Sequence, residues 1–386
     1  MKRLIPKRGG LLAVCAATAA LALATPATAA PNPLSYVSVT DRASTLFSPL
    51  SFAVDGAGNS YVAQNFIGQL TKIAPNGAQS PVASSSVPGG EIGAVTYRDG
   101  TLYYADNDQP NGVAHLIKLP LGGTPSVLAD LGAYEASANP DQVNTYGFIG
   151  LPDDCAAQVD PSVAGPASYS GVVDPHPYGS TVTADGVYVA DAGANAVLKV
   201  SNSGVVSTVA VLPPTAPVTV TAELAAQFGF PACSAGYDYA FEPVPTDVEV
   251  GPGGWLYVTS LPGGPEDASL GARGSVYKIN PANGEIRTVA TGFVSATNLA
   301  VDRTTGIVLV TELFGGTDGT GRVSAVLPWS SKPVAALPVT SPAAIELRGG
   351  KVYVTRNAFG PAGPAPTGVL TVVQLSGASK LLDGVG

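Results

Sequence analysis

The chain has 386 residues and a formal net charge of −9, with only 12% charged residues against 46 glycines and 34 prolines. An acidic balance repels phosphate backbones, so nucleic acid is excluded as a natural partner. Glycine and proline at this density, without sustained helical periodicity, point to an all-β chain, and the length suits one large β domain or two smaller ones.

At the N-terminus, Lys2, Arg3, Lys7 and Arg8 precede an apolar run over residues 11–24, and Ala27, Thr28 and Ala29 offer small residues for cleavage. This pattern predicts a secretory signal peptide over residues 1–29. A retained membrane anchor is the alternative, but a spanning helix needs ~18–20 apolar residues and this run is shorter. Cleavage removes four bases and no acid, so residues 30–386 carry −13 where the whole chain carries −9. The expected product is a secreted or cell-envelope monomer without a membrane span.

From Pro49 one pattern recurs six times: an inner alternating strand, a tight turn with glycine, then a strand centred on Tyr-Val. The copies begin at Pro49, Glu91, Pro177, Pro245, Ala296 and Pro342. A third alternating strand follows each, as in "GSVYKINP", and most copies reach a fourth. Asp-Gly, Ala-Gly and Gly-Gly supply the positive φ angles of tight hairpins. One four-stranded sheet cannot cover both of its faces, whereas several stacked radially can. The repeat therefore predicts a six-bladed β-propeller, with residues 34–39 ("LSYVSV") completing the last blade. A β-sandwich competes with this reading but need not repeat a four-strand grammar.

Two connections exceed ordinary loop length, at about 132–174 and about 213–242. Their many aromatics, Tyr146, Phe148, Phe230 and Tyr239 among them, argue against a disordered linker. Each insert holds one cysteine, Cys155 or Cys233. An oxidising compartment favours a bridge between them over two free thiols, and the bridge would staple the inserts into a lid on one propeller face. A seventh blade hidden in the first insert is a competing reading that lacks the turn and Tyr-Val grammar.

On the insert face, strand ends bring Glu91, Asp106, Asp108, Asp191, Asp247, Asn298 and Glu312 toward the channel. Converging oxygens suit a hard cation such as Ca2+, with Asp247 and Asn298 at equivalent inner-strand positions as its sharpest pair of ligands. A hydrated polar channel accounts for the same residues. His176, in "DPHPYG", lies beside the channel mouth, whereas His115 starts a strand and is read as structural. One channel histidine cannot make a three-histidine zinc site, and no nucleophile elbow or phosphate-binding lysine loop appears. The ligand-binding candidates are Glu91, Asp106, Asp191, His176, Tyr178 and Glu312, with Glu266, Asp267 and Arg273 on the long loop over residues 261–273. That loop is expected at the channel rim, with Arg273 either braced by Glu266 or Asp267 or turned to a ligand.

Residues 244–279, with "DPHPYG" (174–179), "VADAGANAVLKV" (189–200) and "TELFGG" (311–316), resemble the ScyD/ScyE family of secreted bacterial propeller proteins. The resemblance implies export and supplies no catalytic residues. More distantly, the chain is similar to NHL and gluconolactonase-like propellers. The latter bind a divalent cation through channel Glu, Asn and Asp, to which Asp247 and Asn298 correspond loosely. Pro49, Leu50 and Ser51 stand where that pattern expects the first acid. The leading expectation is a non-catalytic propeller that binds a small molecule or an extracellular protein; the alternative is a Ca2+-dependent lactonase using channel carboxylates.

Overall fold

The computed structural model describes residues 34–163, 165–359 and 366–376. The expected signal peptide lies outside the described residues. Seven four-stranded antiparallel sheets account for nearly all the regular structure, and no described helix is long and apolar enough to cross a membrane.

Six sheets follow the predicted grammar; five run from an inner strand outward in chain order, and the sixth takes its outer strand from the N-terminal side of the chain. Their inner strands are Ser51–Val54, Glu91–Arg98, Pro177–Thr183, Pro245–Val250, Ala296–Val301 and Ile345–Arg348, and the sheets are numbered 1–6 in that order. Each inner strand neighbours the next, and the sixth returns to the first, so the ring is closed. The turns are of the expected type. Asp99 and Gly100, for example, both take positive φ (46° and 79°), as a two-residue hairpin turn requires.

The core is divided among the gaps between sheets. Tyr61 and Leu102 belong to the cluster between sheets 1 and 2, Leu116 and Leu198 to that between 2 and 3, and Val197 and Val258 to that between 3 and 4. Phe293 and Val310, Leu309 and Val352, and Leu370 and Val62 fill the remaining three gaps. Every sheet thus buries both faces. At about 1.5–3 kcal/mol for each large apolar side chain removed from water, these six clusters hold the ring.

No main-chain ladder joins adjacent inner strands, because they belong to different sheets. Side chains bridge them instead. Ser51 Oγ accepts from Val95 N (2.8 Å), Asp247 Oδ2 from Leu299 N (3.1 Å) and Asn298 Oδ1 from Ile345 N (2.8 Å), each across a sheet boundary. One position earlier, Thr246 donates to Ala296 O and Thr297 to Ala343 O, both at 2.9 Å.

The ring closes where expected. Tyr36–Leu46 pairs with Gly368–Leu375 as the outer strand of sheet 6. Asp41 fixes it, accepting from Arg356 Nη2 (2.6 Å) and from Thr371 Oγ1 (2.7 Å).

The seventh sheet stands outside that grammar. Thr145–Ile149 of the first insert pairs with Ser168–Ser170 of the same insert and with Asp238–Ala240 of the second, which pairs in turn with Val218–Thr219. Phe148, Phe230 and Tyr239 form its centre, with ring centroids 4.8–5.4 Å apart. Cys155 and Cys233 are joined by a disulfide spanning 78 residues. The unit stands on sheet 3 through Asn144 to Leu212 O (2.9 Å) and Tyr134 to Thr208 (2.8 Å). It reaches the long loop of sheet 4 through Thr215 to Pro262 O (3.1 Å).

A crosslink closing so long a loop stabilises by about 4–5 kcal/mol in the chain-entropy model. Replacing both cysteines by serine is expected to lower stability by roughly 2–5 kcal/mol. It should also speed proteolytic cleavage within 145–240 before the ring unfolds, as mass mapping of the fragments would show.

Candidate functional site

The channel has two mouths, because the inner strands all run the same way. On the insert face, where these strands begin, the structure brings Glu91, His176 and Tyr178 together. His176 Nε2 lies 3.5 Å from Glu91 Oε2, and its ring meets Tyr178 edge-on at 6.0 Å. Tyr178 begins on sheet 3 but packs against Leu50, Ala343 and Ala358 of the sheet 1 and sheet 6 side. Its ring therefore crosses the mouth. The phenol is driven above its ordinary pKa by burial first, then by the charges of Glu266, Glu91 and Asp247. Burial opposes a charge on His176, but the hydrogen bond and charge of Glu91, with Asp191 and Asp174 behind, outweigh it and raise the imidazole.

The other insert-face candidates are held by local bonds. Asp106 accepts from Ser85 Oγ (2.5 Å), Ser86 N (2.9 Å) and Ser86 Oγ (2.6 Å), tying sheet 1 to sheet 2. Glu312 is fully buried, paired with Arg322 (2.7 Å) and accepting from Val294 N (2.7 Å) and Ser324. Asp191 Oδ1 accepts from His176 N (2.8 Å), Gly193 N and Ala194 N, and so shapes the turn that presents His176. His115 lies 3.7 Å from Asp130 at the side of sheet 2, away from the mouth.

The expected brace on the long loop is replaced by another. Arg273 makes no ion pair with Glu266 or Asp267 among the described residues. It donates instead to Gly263 O (2.8 Å) and Pro262 O (3.4 Å), with its guanidinium 4.8 Å from the centre of the Phe241 ring. A fixed planar fork matches two carbonyls and a ring face at once, which a flexible pairing with exposed carboxylates would not improve. Asp267 caps the short 3-10 turn Ala268–Leu270 through Ser269 N (2.9 Å), and Glu266 stays exposed at the rim.

Deeper in the channel are the residues read as metal ligands. Asp247 and Asn298 are equivalent, as expected, but each gives an oxygen to the next sheet's backbone. Gly179 leaves the room Asp247 needs, since a β-carbon there would collide with its carboxylate. Among the described residues, no three His, Cys, Asp or Glu side chains are grouped to hold a metal ion. Of the oxygens a cation would draw on here, one each from Asp247 and Asn298 is already taken by a backbone amide. Burial pushes the Asp247 carboxyl up to about 7, against the pull of the backbone amides of Leu299 and Val248.

Two sets of acids escaped the sequence reading. Glu135 and Asp141 of the first insert are fully buried beside Asp191. Glu135 accepts from Asp174 N (2.8 Å), and burial first, then the charge of Asp191, pushes it up to about 8. Helical spacing alone gave no sign that a glutamate in the insert would turn inward. The second set, Glu249 and Glu346, lines the channel toward its far mouth. Each lies opposite the tyrosine of its repeat, Tyr257 or Tyr353. That register was readable from the repeat.

Comparisons show the fold. No protein-family profile matches the chain, and neither does any curated protein sequence. Solved structures do match. A Thermus thermophilus protein described as a glucose dehydrogenase is 16% identical with TM-score 0.52, covering 87% of this chain and 99% of its own. A Xanthomonas campestris gluconolactonase is 10% identical with TM-score 0.51, covering 92% and 99%. The PQQ-bound aldose sugar dehydrogenase of Streptomyces coelicolor is 12% identical with TM-score 0.50, covering 88% and 98%.

Replacing Glu91 by Gln is expected to leave burial as the dominant influence on His176 and drop its pKa below about 6.5. An NMR titration can follow it, because the only other histidine is His115. At these identities the structural likeness establishes that the chain is a β-propeller, and it carries no chemistry across.

Proposed function

We propose that this protein is a secreted six-bladed propeller that binds a small polar ligand or an extracellular protein at the insert-face mouth, without chemistry of its own. The observation that carries this reading is the Glu91–His176 pair beside a tyrosine ring laid across the channel. Exposed Glu266 and Asp267 make the rim acidic, which favours ligands rich in hydroxyl or ammonium donors. The disulfide agrees with an oxidising compartment, and the resemblance to ScyD/ScyE proteins agrees with export. The acidic chain acts as a monomer and leaves nucleic acid alone.

The test is a thermal-shift screen of sugars, polyols, lactones and lysine-containing peptides against the wild type and the Glu91→Gln/Tyr178→Ala double variant. Any compound that stabilises the wild type should bind the variant at least tenfold more weakly, a loss of about 1.4 kcal/mol. If every stabilising compound kept its full affinity for the variant, the insert-face site would be abandoned.

A second reading, a lactone hydrolase, is favoured by the Asp247 carboxyl, which changes charge near neutral pH as a general acid or base must. Fold likeness to a gluconolactonase agrees with it. Its Ca2+-dependent form requires hydrolysis of glucono-δ-lactone that EDTA abolishes; a metal-independent form requires hydrolysis that survives EDTA and falls at least a hundredfold on Asp247→Asn. No hydrolysis above the uncatalysed rate eliminates both forms.

A further inference from the structure

The far mouth of the channel holds a cavity of about 490 Å3, within the roughly 300–1,000 Å3 of small-molecule sites. All six ring sheets line it. At one level the register sets Ala53, Thr96, Thr181, Glu249, Ala300 and Glu346 around the wall, each opposite the second-strand residue of its repeat. Around them stand three guanidinium groups, Arg98, Arg303 and Arg348.

These groups share the cavity without closing on one another. Neither Arg303 nor Arg348 forms an ion pair within 4.0 Å among the described residues. Arg303 Nε is tied to Val250 O (3.0 Å), which holds its fork in place, and Arg98 is paired with Asp99 (3.1 Å) at the rim. Glu249 Oε2 accepts from Thr181 Oγ1 at the long distance of 3.4 Å. Arginine forks fit carboxylate and phosphate oxygens two at a time, and carboxyl and hydroxyl groups deeper in the wall fit hydroxyls.

We propose that this far mouth is a second binding site, separate from the insert-face mouth, for a small hydroxyl-bearing anion whose charged group is a carboxylate or a phosphate. Arg303 and Arg348 receive the anion, while Glu249, Glu346 and Thr181 receive the hydroxyls. The acids do not repel the ligand at neutral pH. Burial first, then the charge of Asp247, pushes Glu249 up to about 8 against the pull of Arg303 and the Thr181 hydroxyl. Burial first, then the charges of Glu249 and Asp247, also raise Glu346, against Arg348 and Arg303. Protonated, both can donate hydrogen bonds; ionised above about pH 8, Glu249 opposes an anion.

Isothermal titration with tartrate, glycerol 3-phosphate and glycerol, at pH 6.5 and pH 9, tests the proposal. At pH 6.5 at least one of the two anions should bind and glycerol should not; which anion binds identifies the charged group. Binding should weaken at least tenfold at pH 9. Arg348→Gln, and separately Arg303→Gln/Arg348→Gln, should weaken it at least tenfold at pH 6.5, with circular dichroism showing the folded sheet. Glu249→Gln, whose amide still donates but cannot ionise, should lose less of its binding between pH 6.5 and pH 9 than the wild type does. The proposal is overturned if neither anion binds, if glycerol binds as tightly as the anions, or if folded Arg348→Gln binds unchanged. None of these outcomes bears on ligands held by Glu91 and Tyr178 at the other mouth.

Discussion

Everything in this molecule depends on how six sheets are joined where no backbone ladder can join them. The inner strands are adjacent but belong to separate sheets, so their seams must be closed by packing and by side-chain hydrogen bonds. Apolar clusters supply most of the free energy. Ser51, Asp247 and Asn298 supply direction, each accepting one amide from the neighbouring sheet. A buried amide without a partner costs about 1–3 kcal/mol, so these oxygens are committed before any ligand arrives. Polar residues on a propeller channel therefore need sorting: some hold the ring, and only the remainder can hold anything else.

That sorting separates the two ends of the channel. At the insert face most acids are spoken for, Asp106 and Glu312 at corners between strands and Asp191 beneath the turn of His176. What remains is small and specific: one Glu–His pair, one tyrosine across the opening and an acidic rim. The stapled insert sheet stands on sheet 3 and braces the sheet 4 loop through Phe241 and Arg273. At the far end no insert intrudes. Carboxyl and guanidinium groups face one space there without an ion pair of Arg303 or Arg348 among the described residues, because burial favours the neutral forms of Glu249 and Glu346.

Much of this was legible in the chain. The turn residues and the Tyr-Val strands marked six repeats, and they also carried the register: the residue opposite each tyrosine is the one on the channel wall. The pairing of Cys155 with Cys233, and the closing of the ring by the segment after residue 34, followed from spacing and compartment. The fate of single side chains was less legible. Arg273 could reach two carboxylates in sequence, yet a nearer pair of carbonyls and the Phe241 ring, brought in by the other insert, hold it. Glu135 looked like an ordinary helix glutamate until the insert folded down on Asp174 and Asp191.

The sequence by itself determined the period of the repeat, the alternation of its strands and the turns between them, because those depend on contacts a few residues apart. The tertiary structure decided which polar atoms are occupied. Whether Asp247 offers an oxygen to a ligand or to Leu299, and whether Glu249 and Glu346 share one cavity, depends on neighbours 50 to 100 residues away. Burial and charge at such sites are set by the sum of those distant neighbours, and no local pattern encodes that sum.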